Sequence, residues 1–292
     1  MLYNDFSTWM RRQFPDFNVQ KLNVDAGFTC PNRDGTLSVG GCSYCNNRSF
    51  TPSYCDRRMS VGEQVRRGKA FFNNKYTRMK YLVYFQSFTN TYSTIEELRR
   101  KYEEALAEDD VVGLVVATRP DCITPPILDY LEELSRRTFL IVEFSIESTN
   151  DETLKRINRG HDFACCRKAI EQTASRGIIT SGHVILGLPG EDREGSLRQA
   201  DDINALPLTI LKIHQLQVIK GTRMAREYQE NPFPLYTADE FIRLLADYIH
   251  RLRPDIVLER FVSQCPPSML IAPRWGLKPQ EFNKLLDKEL RK

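Results

Sequence analysis

Residues 111–146, VVGLVVATRPDCITPPILDYLEELSRRTFLIVEFSI, hold the pattern that determines the fold. An apolar, β-branched run over Val111–Thr118 predicts a buried strand, and a second such run over Phe139–Ile146 predicts another. The amphipathic stretch between them, Pro125–Arg137, predicts a helix. Two strands joined through a helix form a βαβ unit, in which the strands lie parallel.

The same alternation of apolar runs and helical patterns continues on both sides of this unit. Further strands are predicted over Lys21–Phe28, Tyr81–Gln86, Ile178–Leu186, Ile210–Val218 and Asp255–Phe261. Helices are predicted from the capping patterns at Ser60–Glu63 and Thr94–Glu97, and over Phe163–Arg176, Glu194–Ala205 and Ala238–Leu252. Strands recur roughly every 30 residues, which is the spacing of a βα repeat.

Six consecutive βα units predict an α/β fold with a partial (β/α)6 TIM-like barrel of parallel strands. A doubly wound open sheet is the competing architecture, and both place ligands at the C-terminal ends of the strands. The repeat loosens after about residue 220. We therefore expect residues 1–220 to form the core barrel with an N-terminal extension, and residues 221–292 to form a C-terminal extension packed on the barrel.

Composition excludes several classes of protein. The chain of 292 residues is long enough to bury a sizeable core, and its 41% hydrophobic and 27% charged content is typical of a folded globular protein. It contains no apolar run of the roughly 18 to 20 residues that a membrane helix needs. Its first residues, MLYNDFSTWMRRQFPDF, lack the apolar core of a signal peptide. We therefore expect a cytoplasmic protein without a membrane partner, with its eight cysteines reduced.

The net charge of +3 is unevenly distributed along the chain. Residues 1–80 hold 13 Lys and Arg against 6 Asp and Glu, whereas residues 81–292 hold 28 against 32. The basic excess is densest over residues 57–80, with eight basic residues and one acid. Such a segment is either a solvated helix face or a surface for an anionic partner such as RNA.

Three cysteines follow the first predicted strand, in the loop GFTCPNRDGTLSVGGCSYCNN (27–47). Cys30, Cys42 and Cys45 are spaced C-x11-C-x2-C, and three glycines between them allow the loop to fold tightly around a bound group. A structural zinc site normally has four protein ligands, so Cys55 or a distant histidine would have to supply the fourth. Three cysteines suit a 4Fe–4S cluster that leaves one iron open. Three unconnected thiols are the remaining alternative.

Polar segments, several of which contain glycine, follow the other predicted strands. They are residues 86–92 (QSFTNTY), 118–122 (TRPDC), 145–148 (SIES) with 156–162 (RINRGHD), 183–191 (HVILGLPGE) and 214–222 (HQLQVIKGT). Parallel strands that follow one another end at the same edge of a sheet. The recurrence of these segments at that edge therefore predicts one shared pocket.

These motifs carry a family resemblance. GFTCPNRDGT, GGC–YCNN, YFQSFTNTY, TRPDC, INRGHDF, ILGLPGE and the late IAPRWGL resemble those of the YhcC/YtqA-like family of radical S-adenosylmethionine (radical SAM) proteins. The resemblance runs from about residue 5 to about residue 290. Most of the wider superfamily spaces its cysteines C-x3-C-x2-C, whereas the first gap here is eleven residues. Lengthening a glycine-rich loop costs little closure entropy, so ligation by three cysteines remains feasible.

The resemblance implies two cofactors. Cys30, Cys42 and Cys45 would hold a 4Fe–4S cluster, and the amino and carboxylate groups of S-adenosylmethionine would chelate its open iron. An electron from a donor such as flavodoxin or ferredoxin would then cleave the cofactor to a 5′-deoxyadenosyl radical, which abstracts a hydrogen atom from the substrate. The protein supplies binding, orientation and shielding while the cofactors perform the chemistry.

The resemblance also assigns contacts to S-adenosylmethionine. The superfamily places its contact to the amino group after the second strand, where this chain has Gln86, Thr89 and Asn90. The resemblance does not divide the role among these three residues. Ser145 and Glu147 suit the ribose. The remaining expected contacts are Arg159 for the carboxylate, and Ile185, Gly187, Gln217 and Val218 for the adenine.

Simpler interpretations stand beside these roles. The alternatives are an ion-paired acid for Glu147 and an arginine facing the carbonyls of a helix end for Arg159. We expect His161 to be structural, whereas His214 is a candidate substrate contact if it faces the barrel interior. Cys165 and Cys166 are adjacent at the start of a predicted helix, so their side chains diverge, which favours a packing role for both. The sequence assigns no role to Cys55, Cys122, Cys165, Cys166 and Cys265.

Three hypotheses for the function follow. The family is similar to the catalytic subunit of Elongator, a radical SAM protein that builds the C5 side chain of wobble uridine, and YtqA-like proteins are linked to a C5 aminoalkyl side chain there. The first hypothesis is a tRNA-modifying enzyme that removes the carboxymethyl group of a carboxymethylaminomethyl side chain. The second is a radical SAM enzyme on a small molecule without RNA, and the third is a non-enzymatic metal-binding module. A continuous patch beside the barrel mouth would favour RNA if formed by Arg57, Arg58, Arg66, Arg67, Lys75 and Arg78.

Overall fold

The computed structural model of the protein describes residues 2–72, 79–263 and 265–292. Its strands are β1 (Asn4–Asp5), β2 (Asn18–Val24), β3 (Met79–Phe85), β4 (Val111–Thr118), β5 (Phe139–Glu147), β6 (Ile179–Leu186), β7 (Ile210–Gln215), β8 (Val218–Ile219), β9 (Val257–Leu258) and β10 (Leu270–Ala272). Its helices are α1 (Phe6–Gln13), α2 (Val61–Phe72), α3 (Ile95–Leu106), α4 (Pro125–Ser135), α5 (Asp151–Arg156), α6 (Phe163–Ala174), α7 (Arg193–Asn204), α8 (Arg223–Glu230), α9 (Ala238–Arg251) and α10 (Pro279–Glu289).

Eight of these strands form one parallel sheet. Their order is β1-β9-β7-β6-β5-β4-β3-β2, and every neighbouring pair is parallel. The order from β2 to β7 follows the chain without the reversal that defines a doubly wound sheet. The sheet curls into a half-barrel whose edges, β1 and β2, do not pair with each other. The predicted partial barrel is therefore confirmed.

Both faces of the sheet carry apolar side chains, which explains the continuous apolar runs in the sequence. Successive side chains on a strand point to opposite faces. Tyr84 and Val115 lie in the cluster inside the half-barrel, whereas Phe85 and Val116 pack outward against the helices. A parallel sheet covered by helices is apolar on both faces for this reason.

Helix α1 covers the amino-terminal end of the half-barrel. Asp5 caps it by accepting a hydrogen bond from the backbone N–H of Thr8 at 2.8 Å. The rings of Trp9 and Phe14 lie 6.1 and 4.9 Å from the ring of Phe139, the first residue of β5. Because α1 covers this end of the barrel, the opposite end, where the strands terminate, is the one left to hold a ligand.

The first long strand lies earlier than the sequence predicts. The strand predicted over Lys21–Phe28 is β2, which ends at Val24. The side chain of Gln64 on α2 then takes both backbone bonds of Asp25, accepting from its N–H at 2.8 Å and donating to its carbonyl at 2.9 Å. Since that amide replaces a neighbouring strand, the chain leaves the sheet and enters the cysteine loop.

Two other strand predictions are also too long. The predicted strand Ile210–Val218 divides after Gln215: Val218 belongs to β8, which pairs antiparallel with β10 instead of joining the main sheet. The predicted strand Asp255–Phe261 contributes only the two residues of β9. Short apolar runs show that a segment is buried, but they do not fix which strand it pairs with.

The C-terminal helices pack in a layer on the outside of the barrel. Helix α9 contacts α7, and α10 packs in turn on α9. The ring of Trp275 stacks on that of Phe282 at 5.9 Å and lies 5.3 Å from Phe241. The division of the chain at residue 220 stays a prediction. Among the described residues, no helix combines the length and the apolar character that crossing a membrane requires.

Candidate functional site

The cysteine loop is a compact hairpin rather than an open excursion. Asp34 and Val39 form an isolated antiparallel bridge, and the backbone N–H of Gly41 donates to the carbonyl of Asn32 at 2.7 Å. Gly41 has a φ of +84°, and a Cβ at this position would lie 3.0 Å from the guanidinium of Arg33. The eleven residues of the long gap therefore fold back on themselves and return the chain toward its first cysteine.

A second loop holds the hairpin in place. The side-chain amide of Asn32 donates to the backbone carbonyls of Asn158 and Arg159 at 2.6 and 3.0 Å. In return, the amide of Asn158 donates to the hydroxyl of Ser38 and to the carbonyl of Gly41, both at 3.0 Å. Asn158 adopts a φ of +56°, which asparagine tolerates better than most residues. The INRGH segment predicted as part of the pocket thus braces the cysteine loop.

Three of the predicted site residues are thiols that line one cavity at the strand ends. Cys30, Cys42 and Cys45 all border this strand-end cavity, and all three are free cysteines. Cys55 points elsewhere, because its thiol donates to the carbonyl of Asn23 at 2.9 Å. Among the described residues, no three His, Cys, Asp or Glu side chains are grouped as ligands of a single metal ion.

Cationic and N–H donor groups surround these thiols. Nη1 of the buried Arg159 and the amide of Asn32 each lie 3.5 Å from Sγ of Cys42. The guanidinium of Arg33 donates to the carbonyl of Cys45 at 2.9 Å. Burial and the neighbouring Cys42 raise the pKa of the Cys45 thiol to about 11, although Arg33 opposes the shift. A metal that binds here must therefore displace a proton.

Glu147 ends β5 in a strained and buried position. It has a φ of +68°, uncommon for a residue with a side chain, and its side chain is buried. Burial alone would raise the pKa of this carboxyl, but His183, whose Nδ1 lies 3.4 Å from Oε2, and Arg159 hold the pKa below its usual value. Glu147 is thus a buried anion facing the cavity. Ser145 also lines the cavity, and its carbonyl accepts from Nη2 of Arg159 at 2.6 Å.

The three residues predicted after β3 are placed differently from one another. Gln86 lines the cavity, and its carbonyl oxygen accepts a hydrogen bond from the side chain of Asn23. Thr89 also lines it, and its buried hydroxyl has no partner among the described residues. Asn90 does not border the cavity, because its amide donates to the carbonyls of Phe85 and Ala117 at 2.9 and 2.8 Å and so ties β3 to β4. Its predicted role stays a prediction.

The predicted adenine contacts are also divided. Ile185 and Gln217 border the cavity, whereas Gly187 and Val218 do not. Gly187 has a φ of +86° and lies under the ring of Tyr236, where a Cβ would approach within 3.0 Å. Val218 is fully buried in β8.

Several residues of the cavity wall were not assigned from the sequence. Arg119 is 2% exposed, forms an ion pair with Asp121 at 2.7 Å, and donates to the carbonyl of Arg159 at 2.7 Å. The TRPDC segment pointed to this strand end but gave no sign that its arginine is buried. The other unassigned residues of the wall include Arg33, Tyr44, Tyr84, Phe88, Glu143, His183, Lys212, Arg260 and Ser263.

Two histidines considered in the sequence occupy contrasting places. His161 lies outside the cavity, and burial together with Arg159 and Arg119 lowers its pKa to about 2. It is therefore neutral, as expected for a structural residue. His214 lies in β7 and lines the cavity, as its predicted inward orientation requires.

Comparison with known proteins identifies the family. The model of the Radical SAM superfamily matches residues 30–197, and that of the Radical_SAM C-terminal domain matches residues 208–292. The chain is 35% identical to YtqA of Bacillus subtilis (strain 168) over 288 residues, 99% of this chain and 89% of YtqA. The chain belongs to the YhcC/YtqA-like family of radical SAM proteins. The family resemblance predicted from the motifs is confirmed, and the cofactors of the superfamily are a 4Fe–4S cluster and S-adenosylmethionine.

Two further proteins share part of this radical SAM chain. The structure of Methanocaldococcus infernus Elp3 with an N-terminal deletion has the same fold, with a TM-score of 0.72 at 18% identity, covering 94% of this chain and 63% of that one. The tRNA uridine(34) acetyltransferase of Methanocaldococcus jannaschii is 25% identical over 203 residues, 68% of this chain and 36% of that protein. Both relatives are therefore longer than the region that they share with this chain.

The basic segment of this radical SAM protein is largely neutralised where the structure describes it. Arg58 forms an ion pair with Asp56 at 2.5 Å. Arg66 and Arg67 both pair with Glu63, at 3.3 and 2.8 Å. Arg57 donates to two backbone carbonyls of the cysteine loop. Two members of the segment lie outside the described residues: Lys75 and Arg78. The described arginines do not form a free cationic surface.

Proposed function

We propose that this chain is a radical SAM enzyme that acts on the C5 side chain of the wobble uridine in tRNA and removes its carboxymethyl group. The observation that carries the assignment is the convergence of Cys30, Cys42 and Cys45 on one cavity at the strand ends, next to the buried Arg159. In this proposal the three thiolates hold a 4Fe–4S cluster. The spacing of three ligands leaves one iron for S-adenosylmethionine.

The residues of the chain give the cluster its surroundings. When bound, the two cofactors supply reductive cleavage of S-adenosylmethionine and a 5′-deoxyadenosyl radical that abstracts a hydrogen atom from the substrate. Arg159 and Asn32 direct N–H groups at Cys42, and such donors to a ligand sulfur stabilise the added negative charge of a reduced cluster. The hairpin and the Asn158–Arg159 segment together hold the cysteine loop in place.

The polar wall of the cavity supports a site for S-adenosylmethionine. We assign Glu147 and Ser145 to the ribose, since a buried carboxylate accepts hydrogen bonds from hydroxyl groups. Nε of Arg159 is buried and has no partner among the described residues, so it is available to a carboxylate. The unpaired hydroxyl of Thr89 and the side chain of Gln86 remain for the amino group. Ile185 and Gln217, with Gly187, Val218 and Asn90 behind the wall, stay assigned by resemblance.

Two observations support a tRNA substrate. One relative carries the name tRNA uridine(34) acetyltransferase, and its aligned region covers 68% of this chain. The other is a recess beside the cysteine loop, bordered by Arg48 and Arg226, neither of which has an acidic partner within ion-pair distance in the described part of the chain. Unpaired arginines beside the mouth of the cavity suit a polyanion, whose binding would weaken steeply with salt.

The proposal also includes a partner and a location. An electron donor such as flavodoxin or ferredoxin supplies the electron, and the enzyme works in the cytoplasm, where its thiols stay reduced. A small-molecule substrate is the second candidate, favoured by the ion pairs that occupy Arg58, Arg66 and Arg67.

Two measurements test the proposal. After anaerobic reconstitution with iron and sulfide, reduction with S-adenosylmethionine present should yield 5′-deoxyadenosine; none above background would leave only a non-enzymatic metal-binding module. Mass spectrometry of tRNA nucleosides from a strain lacking the protein should show carboxymethylaminomethyl side chains accumulating on uridine. An unchanged nucleoside profile from that strain, with 5′-deoxyadenosine still formed by the enzyme, would reject tRNA and favour the small molecule.

A further inference from the structure

Arg260 reaches the strand-end cavity from a segment that the sequence did not connect with it. The residue follows β9, and its carbonyl accepts a hydrogen bond from the N–H of Ile213 in β7 at 2.9 Å. Three residues on, Ser263 is held to the side chain of Gln215, whose oxygen accepts from the N–H of Ser263 at 2.8 Å. Backbone contacts on both sides thus fix the position of Arg260 against β7.

The guanidinium of Arg260 has no counter-charge in the described part of the chain. No carboxylate lies within ion-pair distance of it among residues 2–72, 79–263 and 265–292. In contrast, Lys212 on the same wall lies 2.6 and 3.7 Å from Glu143 and Glu259, and Arg119 pairs with Asp121. A half-buried cation in a cavity favours an anionic ligand, because desolvation of an unpaired charge is costly.

His214 orients this cation without neutralising it. Nε and Nη2 of Arg260 lie 3.2 and 2.6 Å from Nε2 of His214. Burial, then Arg260, His183 and Lys212, lower the pKa of His214 well below its ordinary value, so the imidazole is neutral and accepts these hydrogen bonds. A guanidinium carries five N–H donors, so Nη1 and the second proton of Nη2 remain free.

A row of contacts joins Arg260 to a residue proposed to hold S-adenosylmethionine. The ring of His183 meets that of His214 edge to face at 4.3 Å, and His183 in turn faces Glu147. This row connects the proposed ribose carboxylate to Arg260. Arg159, which accompanies Cys42, is a separate cation with its own contacts. Among the described residues, the strand-end cavity therefore has three arginines without an ion-paired acid, Arg33, Arg159 and Arg260, each with different neighbours.

We infer that Arg260, oriented by His214, binds a carboxylate of the substrate through its free N–H donors. The planar fork of a guanidinium matches a carboxylate in a bidentate pair. A single unpaired cation with a neutral histidine balances one negative charge, which favours a carboxylate over a dianionic phosphate monoester. The inference deepens the proposed function and rests on it, since the carboxymethyl group named there would supply this carboxylate next to the ribose of the cofactor.

The test uses a probe that does not depend on the identity of the whole substrate. N-Methylglycine, which carries a carboxylate, and N-methylglycinamide, in which an uncharged carboxamide replaces it, are titrated against the reconstituted enzyme with S-adenosylmethionine, and binding is followed by saturation-transfer difference NMR. Binding of the acid should weaken about tenfold or more in Arg260→Gln, as expected for the loss of a charge-assisted hydrogen bond. Arg260→Lys, which keeps the charge without the fork, should bind about three- to tenfold more weakly than the unmodified enzyme.

Arg274→Gln is the matched control. Arg274 is exposed, donates to the carbonyls of Leu270 and Ile271, and does not border the strand-end cavity, so this variant should bind the acid like the unmodified enzyme. The inference is overturned if Arg260→Gln binds N-methylglycine as tightly as the unmodified enzyme does. If Arg260→Gln fails to fold, the inference is overturned when Arg260→Lys binds this acid as tightly as the unmodified enzyme. Displacement of the acid by inorganic phosphate at lower concentration than by acetate overturns the choice of a carboxylate.

A second arm uses the proposed substrate. The unmodified enzyme and Arg260→Gln are compared on tRNA that carries the carboxymethylaminomethyl side chain and on tRNA that carries its carboxamide. Loss of the guanidinium and loss of the carboxylate should each raise KM about tenfold or more, and together they should cost little more than either alone. The inference is overturned if the ratio of KM between the two tRNAs is the same for the unmodified enzyme and for Arg260→Gln. Absence of any tRNA product from the unmodified enzyme rejects the proposed function instead, while the NMR titration still decides the role of Arg260.

Discussion

Asn32 and Asn158 brace the cysteine loop from opposite sides although 126 residues separate them in the sequence. The amide of Asn32 donates to the carbonyl of Asn158, and the amide of Asn158 donates to the carbonyl of Gly41, one residue before Cys42. The connection between α5 and α6 therefore positions a thiol that comes from the loop after β2. Neither loop alone can fix the separation of the three cysteines.

Removing this brace should loosen the cysteine loop. In Asn158→Ala the loop loses two hydrogen bonds and the residue keeps an unfavourable positive φ, so the free energy of unfolding should fall by about 1–3 kcal/mol. Asn158→Gly also lacks the amide, but glycine tolerates the positive φ, so the loss of stability should be smaller than in Asn158→Ala. Urea unfolding and the rate of iron loss to a chelator measure the two effects.

Asn204→Ala separates a local effect from a general one. Asn204 donates to the carbonyl of Arg251 and accepts from the N–H of Arg253, far from the strand-end cavity. It should destabilise the fold without accelerating iron loss. Iron loss that is equally fast in Asn158→Ala and Asn204→Ala would contradict the proposed brace.

The three cavity thiols should differ sharply from the fourth cysteine of the region. Substitution of Cys30, Cys42 or Cys45 by Ala should abolish the broad visible absorption of a 4Fe–4S cluster after anaerobic reconstitution, because two thiolates do not hold it stably. Cys55→Ala should retain the iron and sulfide of the unmodified enzyme, since the Cys55 thiol donates to a backbone carbonyl. Iron and sulfide assays on the four variants provide the measurement, and loss of the cluster in Cys55→Ala would identify a different ligand set.

Local capping signals were predictable in part. The hydroxyl of Ser60 accepts from the N–H of Glu63 at 3.1 Å, as the sequence pattern predicts, because that backbone donor has no partner within the helix. The reciprocal half of the capping box is absent, since the Glu63 carboxylate pairs with Arg66 and Arg67 instead. A reciprocal box does form at Thr237 of α9. Competing cations decide between these outcomes, and a short pattern does not include them.

Burial and long-range contacts were beyond the sequence. The βα repeat predicted the barrel and the edge at which the polar segments gather, because hydrophobic periodicity is a local property. It did not predict that Arg260 reaches the cavity, since that placement depends on hydrogen bonds to β7, 46 residues earlier in the chain. Nor did it show that Asn90 is turned toward the backbone of the sheet.

Glu147 should control the affinity for S-adenosylmethionine. Glu147→Gln keeps the shape of the side chain but removes the charge that accepts the ribose hydroxyls, so the Kd should rise about 10- to 100-fold. Glu191→Gln is the matched control, since this half-buried acid accepts from Ser148 and does not border the strand-end cavity. Equilibrium dialysis of S-adenosylmethionine against reconstituted enzyme gives the Kd. An unchanged Kd in Glu147→Gln would assign the residue to the ion-paired alternative with His183.

The buried pair of Glu143 and Lys212 should make the stability of the protein depend on pH. Nζ of Lys212 lies 2.6 Å from Oε2 of Glu143, deep inside the half-barrel. Burial alone would raise the pKa of Glu143, but Lys212 and Lys21 outweigh it and hold the pKa at about 2. Because this pKa is below that of the unfolded chain, at roughly 4.3, the stabilising contribution is complete above that value.

Acid should therefore remove this contribution in a defined range. As the pH falls from roughly 4.3 toward about 2, the free energy of unfolding should decline, and the part due to this pair should be missing from Glu143→Gln. At neutral pH, Lys212→Met leaves the carboxylate buried with its main partner gone, which should cost about 3–5 kcal/mol. The double variant Glu143→Gln/Lys212→Met should recover much of that loss, since neither charge is then left unpaired. Urea unfolding of the apoprotein at several pH values tests both points, and a double variant no more stable than Lys212→Met would show that the pair acts by packing rather than by charge.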